Sequence, residues 1–327
     1  MKPPASLEEF FFRPIRARGF GLMRMVWACV AAAFLLMQWK DVAYYYSDGG
    51  IITARTSALI MRGAYRLSIL DWASSPGVVF VLYVLMLGAL LLMALGVWPR
   101  VTTAVSVLLI FSFHERNQMV LTGGDTLLRN IGFLMVLAPR GSAGSTARWP
   151  RLRRGATRAA ASEATMPIWP WRLLLWQMVV LYGTSLWYKL LGSTWISGTA
   201  VEATFHHPVV ARWPMLFMNT LMPVAGVGDY LMLCWQAAWL LLLVPRSLVD
   251  RLLPARMARI PLRRILILGG VVFHGGILLL LDAGVFPLAI FTAYVGLLRE
   301  DDLGWLGALS LTPRFRSRSS RLAAGPA

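Results

Sequence analysis

Lys189 has the residue type and setting that most directly allow chemistry. The 327-residue chain carries 32 basic residues, of which only Lys2, Lys40 and Lys189 are lysines. Arg stays protonated in proteins and cannot serve as a base. A Lys in an apolar setting can release its proton and act as one. Lys189 falls near the end of an apolar run at 169–191, in the text Tyr182-Gly183-Thr184-Ser185-Leu186-Trp187-Tyr188-Lys189. An ionisable group at membrane depth marks a functional site by default. The plainer alternative is a Lys that snorkels to the interface.

His274 is the second such residue, in the middle of Gly269-Gly270-Val271-Val272-Phe273-His274-Gly275-Gly276. The flanking glycines let another helix or a ligand approach closely. Its alternative role is a packing hydrogen bond between helices. His114 falls near the outer end of another apolar run and could face the same space. A Lys base and a His donor facing one apolar chamber suit proton transfer.

The elements that must position these residues follow from composition. The chain is 57% hydrophobic and only 14% charged, whereas soluble domains carry about 25% charged residues. We therefore expect an all-α, polytopic transmembrane helical bundle. Eight apolar runs read as candidate spans: 20–39, 76–98, 101–121, 126–139, 169–191, 229–244, 265–281 and 284–298. A crossing helix needs ~20 apolar residues. The fourth, sixth and eighth runs fall short, so they extend into their flanks or lie within protein. The mixed region at 43–72 suits an amphipathic surface helix. Cys29 and Cys234 read as small buried hydrophobes, and their number and spacing suggest neither a disulfide framework nor a metal site. No metal is expected. The first apolar run lacks a small-residue cleavage site and reads as a retained helix.

Charge orients the bundle. With the N-terminus in the cytoplasm, the cytoplasmic segments hold 22 of the 32 basic residues and seven of the 15 acidic ones. The outer segments then balance eight basic against eight acidic residues. This positive-inside pattern places both termini in the cytoplasm and the chain in the bacterial inner membrane. It explains the net charge of +17 without a nucleic-acid partner. The lipid bilayer is the expected partner, anionic lipid at the inner leaflet included. Residues 1–19 form a basic cytoplasmic N-terminus and 20–299 the transmembrane domain. Within it, 141–166 is a flexible basic cytoplasmic loop, and 300–327 is a basic disordered tail.

The outer loops collect the remaining polar candidates. Asp48-Gly49-Gly50 has turn chemistry. Asn117 follows His114-Glu115-Arg116, and Asp125 before an apolar run suits a helix N-cap. Beyond Lys189 come Trp195, Gly198 and Glu202, then His206-His207. Adjacent His side chains point apart, so a loop role suits them better than metal ligation.

Several of these residues occur in an order that resembles the HTTM integral membrane family, which includes the membrane part of vitamin K-dependent gamma-carboxylase. The resemblance rests on Tyr182 to Leu190 followed by Trp195 and Gly198. It extends to Asp48-Gly49, Arg116-Asn117, Gly123-Gly124-Asp125 and Phe273-His274. It implies that Lys189 is a base acting on a reduced, vitamin K-like quinone at the outer face, with His274 a less secure match. The family's second catalytic His has no settled register here, with His114 and Gln118 both near. The chain is also similar to bacterial membrane proteins that mature a sporulation-delaying toxin, which implies a secreted peptide as partner. Three readings stay open: a maturation or modification factor for a secreted peptide, a carboxylase/epoxidase-like enzyme using a quinone-type cofactor, and a non-catalytic lipid-binding or scaffold protein.

Overall fold

Proline starts most of the long helices. It stands in the first turn of α2 (Pro76–Leu95), α3 (Pro99–Arg116), α5 (Trp169–Leu190), α6 (Met222–Leu240) and α8 (Phe286–Leu297). There its missing N–H costs nothing and its fixed φ suits the helix. The remaining principal helices are α1 (Arg18–Met37), α4 (Gly123–Leu137) and α7 (Leu262–Leu280). The computed structural model describes residues 6–60, 67–138, 165–252, 254 and 260–303. Among them the chain is mostly helical, and each of the eight apolar runs contains or overlaps one of these helices.

Four helices are long and apolar enough to cross a membrane: α1, α2, α7, and α6 taken through Leu243. Helices α3 and α5 have 18 and 22 residues. However, α3 carries Arg100, Glu115 and Arg116, and α5 carries Arg172 and Lys189. The 12-residue α8 is ~18 Å long at 1.5 Å per residue and is buried along most of its length. It lies in protein, packed against α1, α4, α5 and α7.

Between α2 and α3, Gly96 at φ 73° ends the first helix by donating to the Leu92 and Met93 carbonyls. This left-handed stop favours glycine. Two side-chain bonds tie α1 to its neighbours. The Trp27 indole donates to the Leu128 carbonyl at 3.0 Å, and the Tyr83 hydroxyl donates to the Leu35 carbonyl.

Close backbone approach fixes α4 against α8. A methyl group on Gly124 would stand 2.5 Å from the Phe286 nitrogen and 2.6 Å from its Cα. Neither atom can rotate away. We expect Gly124→Ala to cost about 2 kcal/mol through forced backbone shifts, read as a lowered Tm in detergent. An unchanged Tm would show that α4 and α8 move freely apart.

Several expectations are corrected. The region at 43–72 is not one amphipathic helix. It breaks into short helices Val42–Tyr46 and Ala54–Ile60 and a 3-10 turn at Ile69–Asp71, because Ser47 to Gly50 form a turn closed by the Gly50 amide on the Ser47 carbonyl. The sixth run starts earlier than expected, at Met222, so Asp229 sits inside α6 rather than at its start. Cys29 and Cys234 are exposed, not buried.

The basic N-terminus is ordered in part. Helix Leu7–Phe12 is followed by a strand, Pro14–Arg16, paired antiparallel with Thr165–Pro167. The expected flexible loop at 141–166 therefore ends in a strand, while its portion at 141–164 lies outside the described residues. The expected tail likewise begins in ordered structure. Asp302 accepts bonds from Arg263 at 2.6 Å, Arg264 at 2.5 Å and the Arg299 amide at 2.7 Å. Residues 304–327 lie outside the described residues.

Candidate functional site

Helix α5 places Tyr182, Ser185 and Lys189 on one face, because residues three and seven apart share a helix side. Seven residues also separate Asp229 from Gln236 on α6, which packs against α5. The Lys189 ammonium donates to the Ser185 hydroxyl at 2.8 Å and to the Gln236 carbonyl oxygen at 3.4 Å. It lies 4.8 Å from the centroid of the Trp195 indole, within the range of a cation–π contact. These three partners are neutral. Gln236 is buried, Lys189 is half-buried, and Trp187 and Tyr188 beside it are exposed.

The next two turns of the same face lead inward. The Tyr182 hydroxyl is 3.1 Å from His274 Nε2 and 2.5 Å from the Tyr294 hydroxyl. All three groups are buried, and among the described residues His274 Nδ1 has no hydrogen-bond partner. Gly270, one turn before His274, is required here, since a side chain would overlap the Tyr294 hydroxyl. Trp235 and Trp239 close the cluster, at 4.7 and 4.8 Å from the Tyr182 ring. The chain His274–Tyr182–Tyr294 can pass a proton between hydroxyls and imidazole. Seven residues along the helix, ~10 Å of rise, separate Tyr182 from Lys189.

His114 belongs to a second cluster. Its Nε2 is 3.9 Å from the Asp125 carboxylate, not beside Lys189 or His274. Asp125 is not the N-cap of α4. Thr122 is, and Asp125 sits three residues on, accepting from the Thr122 amide and hydroxyl at 2.7 and 2.8 Å. A capping box prefers this arrangement. Both clusters border the start of α8: the His274 ring lies 5.5 Å from the Phe286 ring, and Gly124, next to Asp125, presses on the Phe286 backbone.

Other expected site residues are structural. Asn117 is buried, donating to the Tyr45 carbonyl at 2.9 Å and accepting from the Met119 amide. Asp48 accepts from Arg116 at 2.8 Å, Ser74 at 2.5 Å and the Ala54 amide at 2.6 Å. The Ser74 hydroxyl, then the Ala54 amide, with Arg116 adding, hold its carboxyl below the ordinary value. Gly198 has φ 72°, and a Cβ there would press on the Tyr230 ring. Glu202 is exposed, and its carbonyl receives His206 Nδ1 at 3.0 Å.

Ser185, Gln236, Tyr182, Tyr294 and Asp229 complete the site that the sequence alone did not single out. Asp229 is fully buried and takes the Val201 amide at 3.0 Å, anchoring helix Ala200–Phe205 behind Trp195. Spacing was the available signal for Ser185 with Lys189 and for Asp229 with Gln236. Tyr182 shares the seven-residue spacing to Lys189, whereas Tyr294 carries no such mark.

We expect Tyr182→Phe to lower stability by about 2 kcal/mol, because it strips partners from two buried groups. A Tm shift reads this. Equal stability would mean that the hydroxyls bond elsewhere.

A flat quinone ring has no room inside the aromatic cluster, whose rings already touch. No group of three or more His, Cys, Asp or Glu able to hold a metal ion converges among the described residues. No family model matches the chain, nor does any curated protein or solved structure.

Proposed function

We propose that the protein is a multi-pass inner-membrane protein of about eight spans, with both termini cytoplasmic, that modifies or matures a secreted peptide at the outer face. Lys189 is its base. The observation that carries this reading is the setting of the Lys189 amine. A hydroxyl, an amide and an indole face hold it, with no carboxylate among them. Such a setting leaves an amine that can give up its proton, whereas a buried ion pair would lock the charge. The hydrogen-bonded chain His274–Tyr182–Tyr294 lies on the same helix face, about two turns further in.

The test is co-purification of the tagged protein with secreted peptides of its host. A peptide whose modified form appears with wild-type protein and disappears with Lys189→Ala supports the role. Recovery of no peptide while the host secretes them argues against it.

A membrane enzyme using a reduced quinone is the second reading, favoured by the aromatic surroundings of Lys189. In it Trp195 would flank the ring and Lys189 would take the hydroquinone proton. The bound quinone would supply reducing power that no side chain has. Quinone-dependent turnover without a peptide would favour it.

A further inference from the structure

All four carbonyls in the last turn of α7 are satisfied by the chain itself. A helix end leaves such carbonyls without a helical donor, and within a bilayer the protein must supply one. The Ile277 carbonyl receives the Leu281 amide at 2.9 Å, and the Leu280 carbonyl receives the Arg212 amide at 3.0 Å. The Leu278 carbonyl receives the Arg212 guanidinium and the Leu279 carbonyl the Trp213 indole, both at 2.7 Å. The Asp282 amide returns a bond to the Val210 carbonyl at 2.8 Å. Residues 210–213 are thereby held level with the end of a helix long and apolar enough to cross a membrane.

The composition here is not that of a loop in water. Between Glu202 and Asp229 the one charged residue is Arg212, and its guanidinium is the group spent on Leu278. Val209, Trp213, Met215, Leu216 and Phe217 are exposed. Helix Met215–Asn219 starts after Pro214 and buries only Met218. Leu279, whose carbonyl holds Trp213, is exposed as well, so the apolar surface runs on from α7.

We propose that residues 209–217 lie in the outer leaflet, at the boundary of headgroups and acyl chains, with Val209, Leu216 and Phe217 against lipid. Contiguous exposed apolar groups mark a contact surface. An indole with an apolar body and a bonded polar tip suits that boundary. Lipid is the occupant because the bonds to α7 fix the depth of the segment. The choice of leaflet rests on the proposed topology; the depth does not.

The test uses the full chain with Cys29→Ser and Cys234→Ser, reconstituted in phosphatidylcholine–phosphatidylglycerol vesicles. A nitroxide is attached at Leu216→Cys or Val209→Cys. These side chains are 84% and 76% exposed, so neither change removes packing. Collisions with oxygen and with a water-soluble nickel chelate read the depth. Both labels should sit about 5–10 Å into the boundary, as interfacial segments do, rich in oxygen collisions and poor in nickel. A label at Lys40→Cys, exposed beyond the end of α1, should collide freely with nickel. Nickel collisions at 209 and 216 equal to those at 40 would overturn the seat and place the segment in water. Labels shielded from both reagents would overturn lipid as the occupant in favour of a protein surface. An impermeant maleimide should label Lys40→Cys in intact spheroplasts. Its failure there, with 209 and 216 still rich in oxygen collisions, would overturn the topology and the leaflet while the seat stands.

Discussion

Replacing Lys189 by Ala or by Arg is expected to lower peptide modification at least about 100-fold, the lower end of what a general base contributes. The two substitutions ask different questions. Ala removes charge and stem together. Arg keeps a cation and a long stem but cannot deprotonate. A base is lost in both; a snorkelling anchor is lost only in Ala. Full activity in Lys189→Arg would therefore end the base assignment. Folding does not confuse the result. Gln236 also donates to the Ser185 hydroxyl at 3.3 Å, so these two groups keep each other when the amine is gone. Membrane accumulation should match wild type, measured by immunoblot of the washed membrane fraction.

Asp302→Ala is expected to cost about 3 kcal/mol, at the low end for breaking a buried ion pair, because Arg264 is partly exposed to solvent. Asp302 gathers two guanidiniums and a backbone amide beyond the end of α8. It thereby fastens α7 to the segment that follows α8. Burial raises its carboxyl, but the Arg299 amide and then Arg263 and Arg264 outweigh this and hold the carboxyl below the ordinary value. A depressed carboxyl contributes its full stability above the unfolded-chain value of ~3.9. That contribution fades as pH falls from there towards the folded-state value. Wild-type Tm should thus drop in acid below about pH 4, and Asp302→Ala should flatten that part of the profile. Parallel profiles for the two proteins would show that another group governs the acid limb.

The sequence makes the helices legible for a simple reason. Apolar runs bounded by Pro, Gly and charge mark 76–98 and 169–191 to within a few residues of α2 and α5. It fails at 222–228, where Pro223, Gly226 and Gly228 look like a loop but continue α6, because tertiary contacts override propensity. It also misjudges which faces are buried. In a soluble helix, polar residues mark the outside. Around Cys29 and Cys234 both faces are apolar, so the periodic signal vanishes.

The site divides in the same way. Lys189 stands out because charge is rare there. Ser185 is marked by its spacing to Lys189 on the same helix, whereas its meeting with Gln236 becomes visible only when two helices are laid side by side. Tyr182 and Tyr294 look like ordinary core aromatics until their hydroxyls are seen to meet. His114 and Asp125 carry suggestive chemistry yet serve another cluster, since a linear order of residues does not say which helix ends converge.

Helix α8 has a bearing on how the protein is made. Among the described principal helices it is translated after the other seven, yet it packs against the earliest of them, α1. Nothing synthesised earlier can fill its place between α1, α4 and α7. The helices made earlier must wait in the membrane with the faces that α8 covers still open until α8 is made. A premature stop before residue 285 should therefore leave a product open to membrane proteases.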